Sequence, residues 1–178
     1  GNIQMALMRP EKPFTMGAPR REPGRRANEV EREVVLSRPF YLGIKEVSNK
    51  QFRLWYTKHS SSAISEQTLD MEEQPAAMVS WEDAARFCNW LSARDNLKPF
   101  YRFQLTLSVN IDSHYDLSNA GRFKESDWSA NGYRLPTEAE WAWAAKIRVD
   151  GSTAMFGWNS NRYPPSDIVA NYADASAE

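Results

Sequence analysis

The residues able to do chemistry are few and scattered. His59 and His114 are the two histidines, and neither stands at metal-ligand spacing to Cys88, the one cysteine. A single thiol excludes an internal disulfide and any site that needs two thiols from this chain. Cys88 lies on the apolar positions of a helical pattern beside Phe87 and Leu91. Burial there is expected to raise its pKa and leave it inert. A lone histidine in a polar stretch reads as a surface residue. Asp83, Glu138 and Glu140 could form a carboxylate cluster, but each falls in the first turn of an expected helix, where the helix dipole favours an acid. Arg20, Arg21, Arg25 and Arg26 surround Pro23-Gly24 and could grip phosphate. Glu29, Glu31 and Glu33 follow directly, so the segment reads as a solvated loop. No Gly-rich phosphate loop and no Gly-x-Ser-x-Gly elbow occurs.

Bulk properties narrow the class further. The 178 residues suffice for one domain with a core, 1–178, and are too few for two of ordinary size. Lys plus Arg is 22 and Asp plus Glu is 23, so no global field steers the chain to nucleic acid or an anionic membrane. No apolar run approaches the roughly 20 residues that span a bilayer. The 7 tryptophans are expected to be core aromatics in a domain with modest regular structure.

Three helices must position whatever site exists, and they share one start signal. Ser48, Ser80 and Thr137 read as N-caps, with Gln51, Asp83 and Glu140 three residues on to complete capping boxes. Asp83 is the weakest partner, a methylene short of Glu. Val47 and Phe52 fit the hydrophobic staple of the first helix. The expected buried stripes are Phe52, Trp55 and Tyr56, then Ala84, Phe87, Cys88 and Leu91, then Trp141, Ala144 and Ala145. Val34 to Ile44 reads as extended, with Phe40, Leu42 and Ile44 alternating after Pro39. Phe103, Leu105, Leu107, Val109 and Ile111 alternate with polar residues, the period of a half-buried strand. Asn131-Gly132 marks a turn. Short helices between strands and long irregular loops give an α+β domain.

Several segments, in order, resemble one family. Phe14-Thr15-Met16-Gly17 is similar to its Phe-x-Met-Gly opening. Glu46-Val47-Ser48-Asn49-Lys50-Gln51-Phe52 resembles its Glu-Val-Thr-Asn-x-x-Phe helix start. Pro75 to Trp81 with Asp83-Ala84 resembles its Pro-Val-x-x-Val-Ser-Trp-x-Asp-Ala. Gly132-Tyr133-Arg134-Leu135-Pro136-Thr137-Glu138-Ala139-Glu140-Trp141 is the most specific match. The family is that of the formylglycine-generating enzyme, or sulfatase-modifying factor, and it implies a C-type-lectin-like fold. The motifs coincide with caps and core anchors, with Trp141 expected to anchor its helix, so they speak to fold more than to activity.

The resemblance covers nearly all of the chain but only roughly the first two thirds of the family domain. It implies that the cysteine pair of catalytic members, which binds copper and activates oxygen, lies past this sequence. Cys88 alone cannot supply the two soft ligands of Cu(I). Asn171 and Tyr172 resemble an Ala-Asn-x stretch whose amide and carbonyl oxygens suit calcium, here as a partial site. From Tyr101 to Trp128 the chain looks longer than the family's usual connection. His114, Tyr115, Phe123 and Trp128 are the contact candidates of a recognition loop.

The function expected from these residues is that of a non-catalytic, or truncated, binding or structural module. The alternative is a protein-modifying oxidase that converts a target cysteine to formylglycine, with its cysteine pair on a further segment or a second chain. A third reading, the partner half of an iron-dependent sulfoxide synthase, needs a histidine-ligand domain not found here. The expected partner is a protein or a complementary C-terminal chain, with a homo-oligomer as the other way to cover exposed core. The family resemblance suggests a bacterial protein. Exported, periplasmic and cytoplasmic settings are all compatible with it.

Overall fold

The computed structural model describes residues 3–22, 25–64, 66–104 and 122–146. The elements are β1 (Met5–Met8), β2 (Phe14–Met16), β3 (Arg32–Val34), β4 (Phe40–Gly43), α1 (Asn49–Phe52), β5 (Ala63–Ile64), β6 (Gln67–Thr68), α2 (Trp81–Arg94), β7 (Tyr101–Gln104), β8 (Arg122–Ser126) and α3 (Glu138–Lys146). The strands pair two by two, as β1 with β4, β2 with β3, β5 with β6 and β7 with β8. The chain divides into two units, Gly1–Ala6 with Leu42–Leu135 and Leu7–Tyr41 with Pro136–Glu178, and the division runs through both β1 and β4.

In the larger unit, the start of α1 organises its surroundings. Ser48 accepts from the Gln51 N–H at 3.3 Å, and Gln51 accepts from the Ser48 N–H at 2.9 Å, completing the expected capping box. Val47 and Phe52 then meet in one cluster with Trp55, Tyr56, Phe87 and Leu91. The helix itself ends at Phe52, and Trp55 and Tyr56 follow on turns.

Asn49 is fully buried, and its carboxamide is saturated. Nδ2 donates to Leu69 O and Met71 O, both at 2.8 Å, while Oδ1 accepts from the Ser61 hydroxyl. The Ser61 oxygen also accepts from the Ala77 N–H at 2.8 Å and lies 3.1 Å from His59 Nε2. The one hydroxyl hydrogen is committed to Asn49, so Nε2 of neutral His59 must be the donor. His59 is thus buried, contrary to the surface position expected for it. Its ring is edge-on to Phe52 at 4.7 Å, a tertiary contact that the surrounding polar sequence does not reveal. Arg53 donates to the His59 carbonyl at 3.0 Å and pairs with Asp70 at 2.6 Å, and Asp70 accepts from the Ser61 N–H at 2.6 Å.

Ser80 caps α2 by accepting from the Asp83 N–H at 3.1 Å. The Asp83 carboxylate takes the Ser80 hydroxyl proton at 2.6 Å, a contact that suits its shorter reach. Among the expected stripe residues Ala84 is only half-buried. Ala85 is fully buried instead, because α2 serves two clusters, Ala85 and Cys88 on one and Phe87 and Leu91 on the other. The helix ends in a Schellman motif. Leu97 N–H reaches Ser92 O at 2.8 Å, Asn96 N–H reaches Ala93 O at 3.2 Å, and Asn96 takes φ +55°. Gly132 then approaches so closely that a Cβ would run into Lys98 O and Ser92 Oγ. That approach lets Tyr133 N–H donate to Ser92 Oγ at 2.8 Å and Leu135 N–H to the Tyr101 hydroxyl at 3.0 Å.

In the second unit β2 and β3 run antiparallel, with Phe14 opposite Val34 and Met16 opposite Arg32. Gly17, at φ +105°, turns the chain out of β2. Thr137 and Glu140 complete a capping box, at 2.8 Å from the Thr137 N–H and 3.2 Å from the Glu140 N–H. The expectation that Trp141, Ala144 and Ala145 line the core is overturned. Trp141 is 63% exposed, and the inward face is Ala139, Ala142 and Trp143, packed on Phe14 and Met16. Small and aromatic residues occupy most sides of α3, so its period selects no face. The capping box turns Glu140 inward and thereby sets the rotation. The tryptophans, expected as core aromatics, divide: Trp55, Trp90 and Trp143 pack on core clusters, whereas Trp81, Trp128 and Trp141 are largely exposed. Ile44 likewise leaves its predicted inward alternation and is exposed.

Two predictions follow the packing. Gly132→Ala is expected to cost about 1–3 kcal/mol by overpacking, and Asn96→Val about 1–2 kcal/mol by forcing a β-branched residue into a left-handed backbone. Equilibrium urea unfolding checks both, and wild-type midpoints would contradict these contacts. Burial, and secondarily the Arg53 charge, lower the His59 pKa below its ordinary 6.5. The unfolded chain therefore binds the proton first, so stability is complete above pH 6.5 and falls as pH drops through that value toward the folded pKa. His59→Gln should flatten the change in urea midpoint between pH 7.5 and 5.0, whereas an unchanged slope would remove His59 as its source.

Candidate functional site

In β7, Tyr101 and Phe103 face the core while Arg102 and Gln104 face out. In β8, Ser126 lies opposite Tyr101 and Glu125 opposite Arg102. The register then slips, and Phe123 lies opposite Phe103, which leaves Lys124 as the extra residue of a bulge. The slip puts Phe123 on the aromatic face, 6.2 Å from Phe103 and 6.2 Å from Tyr101.

The Ser80 cap places Trp81 at the first position of α2, over this face. Its ring meets Phe123 at 5.0 Å and Tyr101 at 5.4 Å, both edge-to-face. Phe100 continues the array, 5.0 Å from Tyr101 and 5.0 Å from Trp128. Cations sit on its flanks. The Arg86 guanidinium lies 3.9 Å above Phe103, and that of Arg134 lies 5.6 Å from Phe100 and 5.5 Å from Trp128. Edge-to-face pairs contribute about 0.5–1.5 kcal/mol each beyond burial, so successive pairs hold these rings in one arrangement. Half of Trp81 and nearly two thirds of Trp128 stay open to solvent, at 50% and 64%, with Phe123 at 37%.

Polar ties fix the base of the hairpin. Asp127 accepts from the Ser129 hydroxyl at 2.6 Å and the Ser129 N–H at 3.0 Å, and it pairs with Lys98 and Arg102, each at 2.9 Å. The Ser129 hydroxyl first, then the two cations, hold its carboxyl well below the usual carboxylate range. Asn89, from α2, grips the backbone of Tyr101 on both sides, with Oδ1 accepting from N–H at 3.1 Å and Nδ2 donating to the carbonyl at 2.6 Å.

Phe123 and Trp128 were expected as contact residues, and the structure sets them at two positions of the array, joined through Phe100 and Tyr101. His114, Tyr115, Asn171 and Tyr172 lie outside the described residues. Trp81, Arg86 and Arg134 were not among the predicted contacts. Trp81 and Arg134 fall in segments that resemble the family, but no local pattern marks any of the three as a contact, because only the packing of α2 against the hairpin and the approach of the Gly132 segment bring them here.

The exposed rings make this surface apolar; Arg86 is buried and paired with Glu82 at 3.7 Å. Cys88 packs with Ala85, Phe100 and Tyr101, and burial pushes its thiol up to about 12. A protonated, enclosed thiol does not fit copper, which wants two thiolates. Among the described residues no group of three or more His, Cys, Asp or Glu is placed to hold a metal. No helix among them is long and apolar enough to cross a membrane.

Comparison with known proteins places this architecture. The sequence model of the sulfatase-modifying factor enzyme 1-like domain matches residues 4–178. A Paenibacillus barcinonensis protein named chaperone protein LppX is 36% identical over 145 residues, 82% of this chain and 48% of that protein. The chain therefore spans about half the length of this relative. Treponema denticola variable protein 1 superposes with a TM-score of 0.63 at 24% identity, over 89% of this chain and 56% of that one. The short helices, paired strands and this likeness establish an α+β, C-type-lectin-like fold, and the chain belongs to the sulfatase-modifying factor enzyme 1-like domain family.

Proposed function

We propose that this chain is a non-catalytic recognition module whose ligand is protein. The observation that carries the reading is the partly exposed aromatic array of Trp81, Phe123 and Trp128, held by a hairpin and a capped helix. Exposed aromatics on a rigid base are effective protein contacts, because they bury much area at little entropic cost. The relative's printed name, a chaperone protein, supports a protein ligand. In this reading the array shields apolar side chains of a client, and Arg86 and Arg134 keep the rings in place.

Trp81→Ala combined with Trp128→Ala should weaken binding of a destabilised, fluorescently labelled client by roughly 30-fold, the effect of losing an aromatic anchor worth about 2 kcal/mol. Undiminished affinity in a variant that melts like wild type would overturn the proposal.

A second reading draws on the family match, whose reference domain is that of a modifying enzyme. The protein of which this chain is part would then oxidise a target cysteine, with copper on a cysteine pair outside this sequence. Competition with a Cu(I) chelator, run on the longer protein of which this chain is part as well as on the chain alone, separates the two. The 178-residue chain should take no Cu(I) tightly, since its one thiol is buried and protonated. Stoichiometric, tight Cu(I) binding by the longer protein would favour the oxidase, and its absence there would favour the module.

A further inference from the structure

We infer that the outer edge of β8, open among the described residues, takes an extended acidic segment of a partner protein as an added strand, with the segment's apolar side chains resting on the Trp81–Phe123 array. The inference rests on the recognition reading above and adds the class of ligand to it.

The two edges of the hairpin are unequal. On β7 the outer edge is already occupied at Tyr101, where the Asn89 carboxamide mimics a neighbouring strand by bonding both N–H and carbonyl. On β8 the described residues include no second strand, so its outer edge is open among them. An open edge presents unpaired backbone donors and acceptors, the feature that strand addition uses.

Side-chain placement then selects the ligand. Phe123 lies on the aromatic face, whereas Arg122 stands opposite Gln104 on the outer face and Lys124 occupies the bulge. Arg122 and Lys124 are exposed and make no ion pair among the described residues. A strand added to this edge turns alternate side chains to opposite faces. Apolar residues would meet Trp81 and Phe123, and the residues between them would meet Arg122 on the outer face, near Lys124 at the bulge and beside Glu125, which is paired with Arg102 at 3.5 Å. Acidic residues complement that second face. Pairing β8 with a second copy in the register that sets Arg122 opposite Lys124 would bring like charges together across the strands, where they repel.

Fluorescence anisotropy with labelled ten-residue peptides tests the inference on the chain as it stands. Alternating Leu and Glu should bind at least 10-fold more tightly than alternating Leu and Lys or Ser and Glu. N-methylation of alternate backbone nitrogens on the bonding side of the Leu–Glu peptide should abolish binding. Arg122→Glu with Lys124→Glu, both on an exposed strand, should reverse the preference to Leu–Lys. If charge reversal or N-methylation changes nothing while Trp81→Ala still weakens client binding, the strand-addition inference is lost and the recognition reading stands. If no peptide binds but the client does, the outcome is the same. If neither peptide nor client binds a normally melting protein, both fall.

Discussion

The larger unit depends on one buried amide. Asn49 has no exposure to water, so each polar atom of its side chain needs a protein partner, or the unpaired group costs about 1–3 kcal/mol. Both amide hydrogens find carbonyls 20 and 22 residues ahead, at Leu69 and Met71, and the amide oxygen takes the Ser61 hydroxyl. A single side chain thus closes the whole excursion from α1 through β5 and β6. Backbone bonds from Asn49 to Gln74 and from Ala76 to Val47 follow from that closure. The returning chain arrives at Ser80 in the extended conformation that an N-cap requires.

From there, position is handed on through helix ends. The Ser80 cap starts α2 with Trp81 already over the β7–β8 hairpin. The Schellman turn at Asn96 ends α2 and sends the chain into Phe100 and Tyr101. Gly132, with no side chain to obstruct it, brings Tyr133 onto Ser92 and Arg134 beside Trp128. The aromatic array is therefore a product of caps and close approaches at the ends of elements. Its rings share their edges and faces with one another, and this contact holds Phe100 and Trp128, which lie outside the strands, against Tyr101.

Catalysis and recognition place opposite demands on such a surface. A thiol that is to react must be ionised and reachable, whereas Cys88 is enclosed by Ala85, Phe100 and Tyr101, and its proton is held more firmly than in water. Ser61 and His59 are within hydrogen-bond distance, yet the Ser61 hydroxyl has no solvent exposure and its proton already serves Asn49. Among the described residues of the array, the rings of Trp81, Phe123 and Trp128 are open to solvent, while Arg86 is buried and paired with Glu82 at 3.7 Å.

Local patterns in the sequence were enough to locate the three helix starts, two of the capping boxes, the staple of Val47 with Phe52, the burial of Cys88 and the family. Each is settled over a few consecutive residues by hydrogen bonding or by apolar spacing. The rotation of α3 was not legible, because alanines and tryptophans surround it and the inward turn of Glu140 chooses the face. The burial of His59 was not legible either, since its neighbours in the chain are polar while its neighbours in space are Phe52 and Ser61. Of the array, Phe123 and Trp128 could be singled out from the stretch expected to be longer than the family's usual connection, but Trp81, Arg86 and Arg134 join it only through contacts between distant segments. Chain-local interactions specify elements and their ends. Which exposed rings stand together is decided by packing over tens of residues, and no local period encodes that.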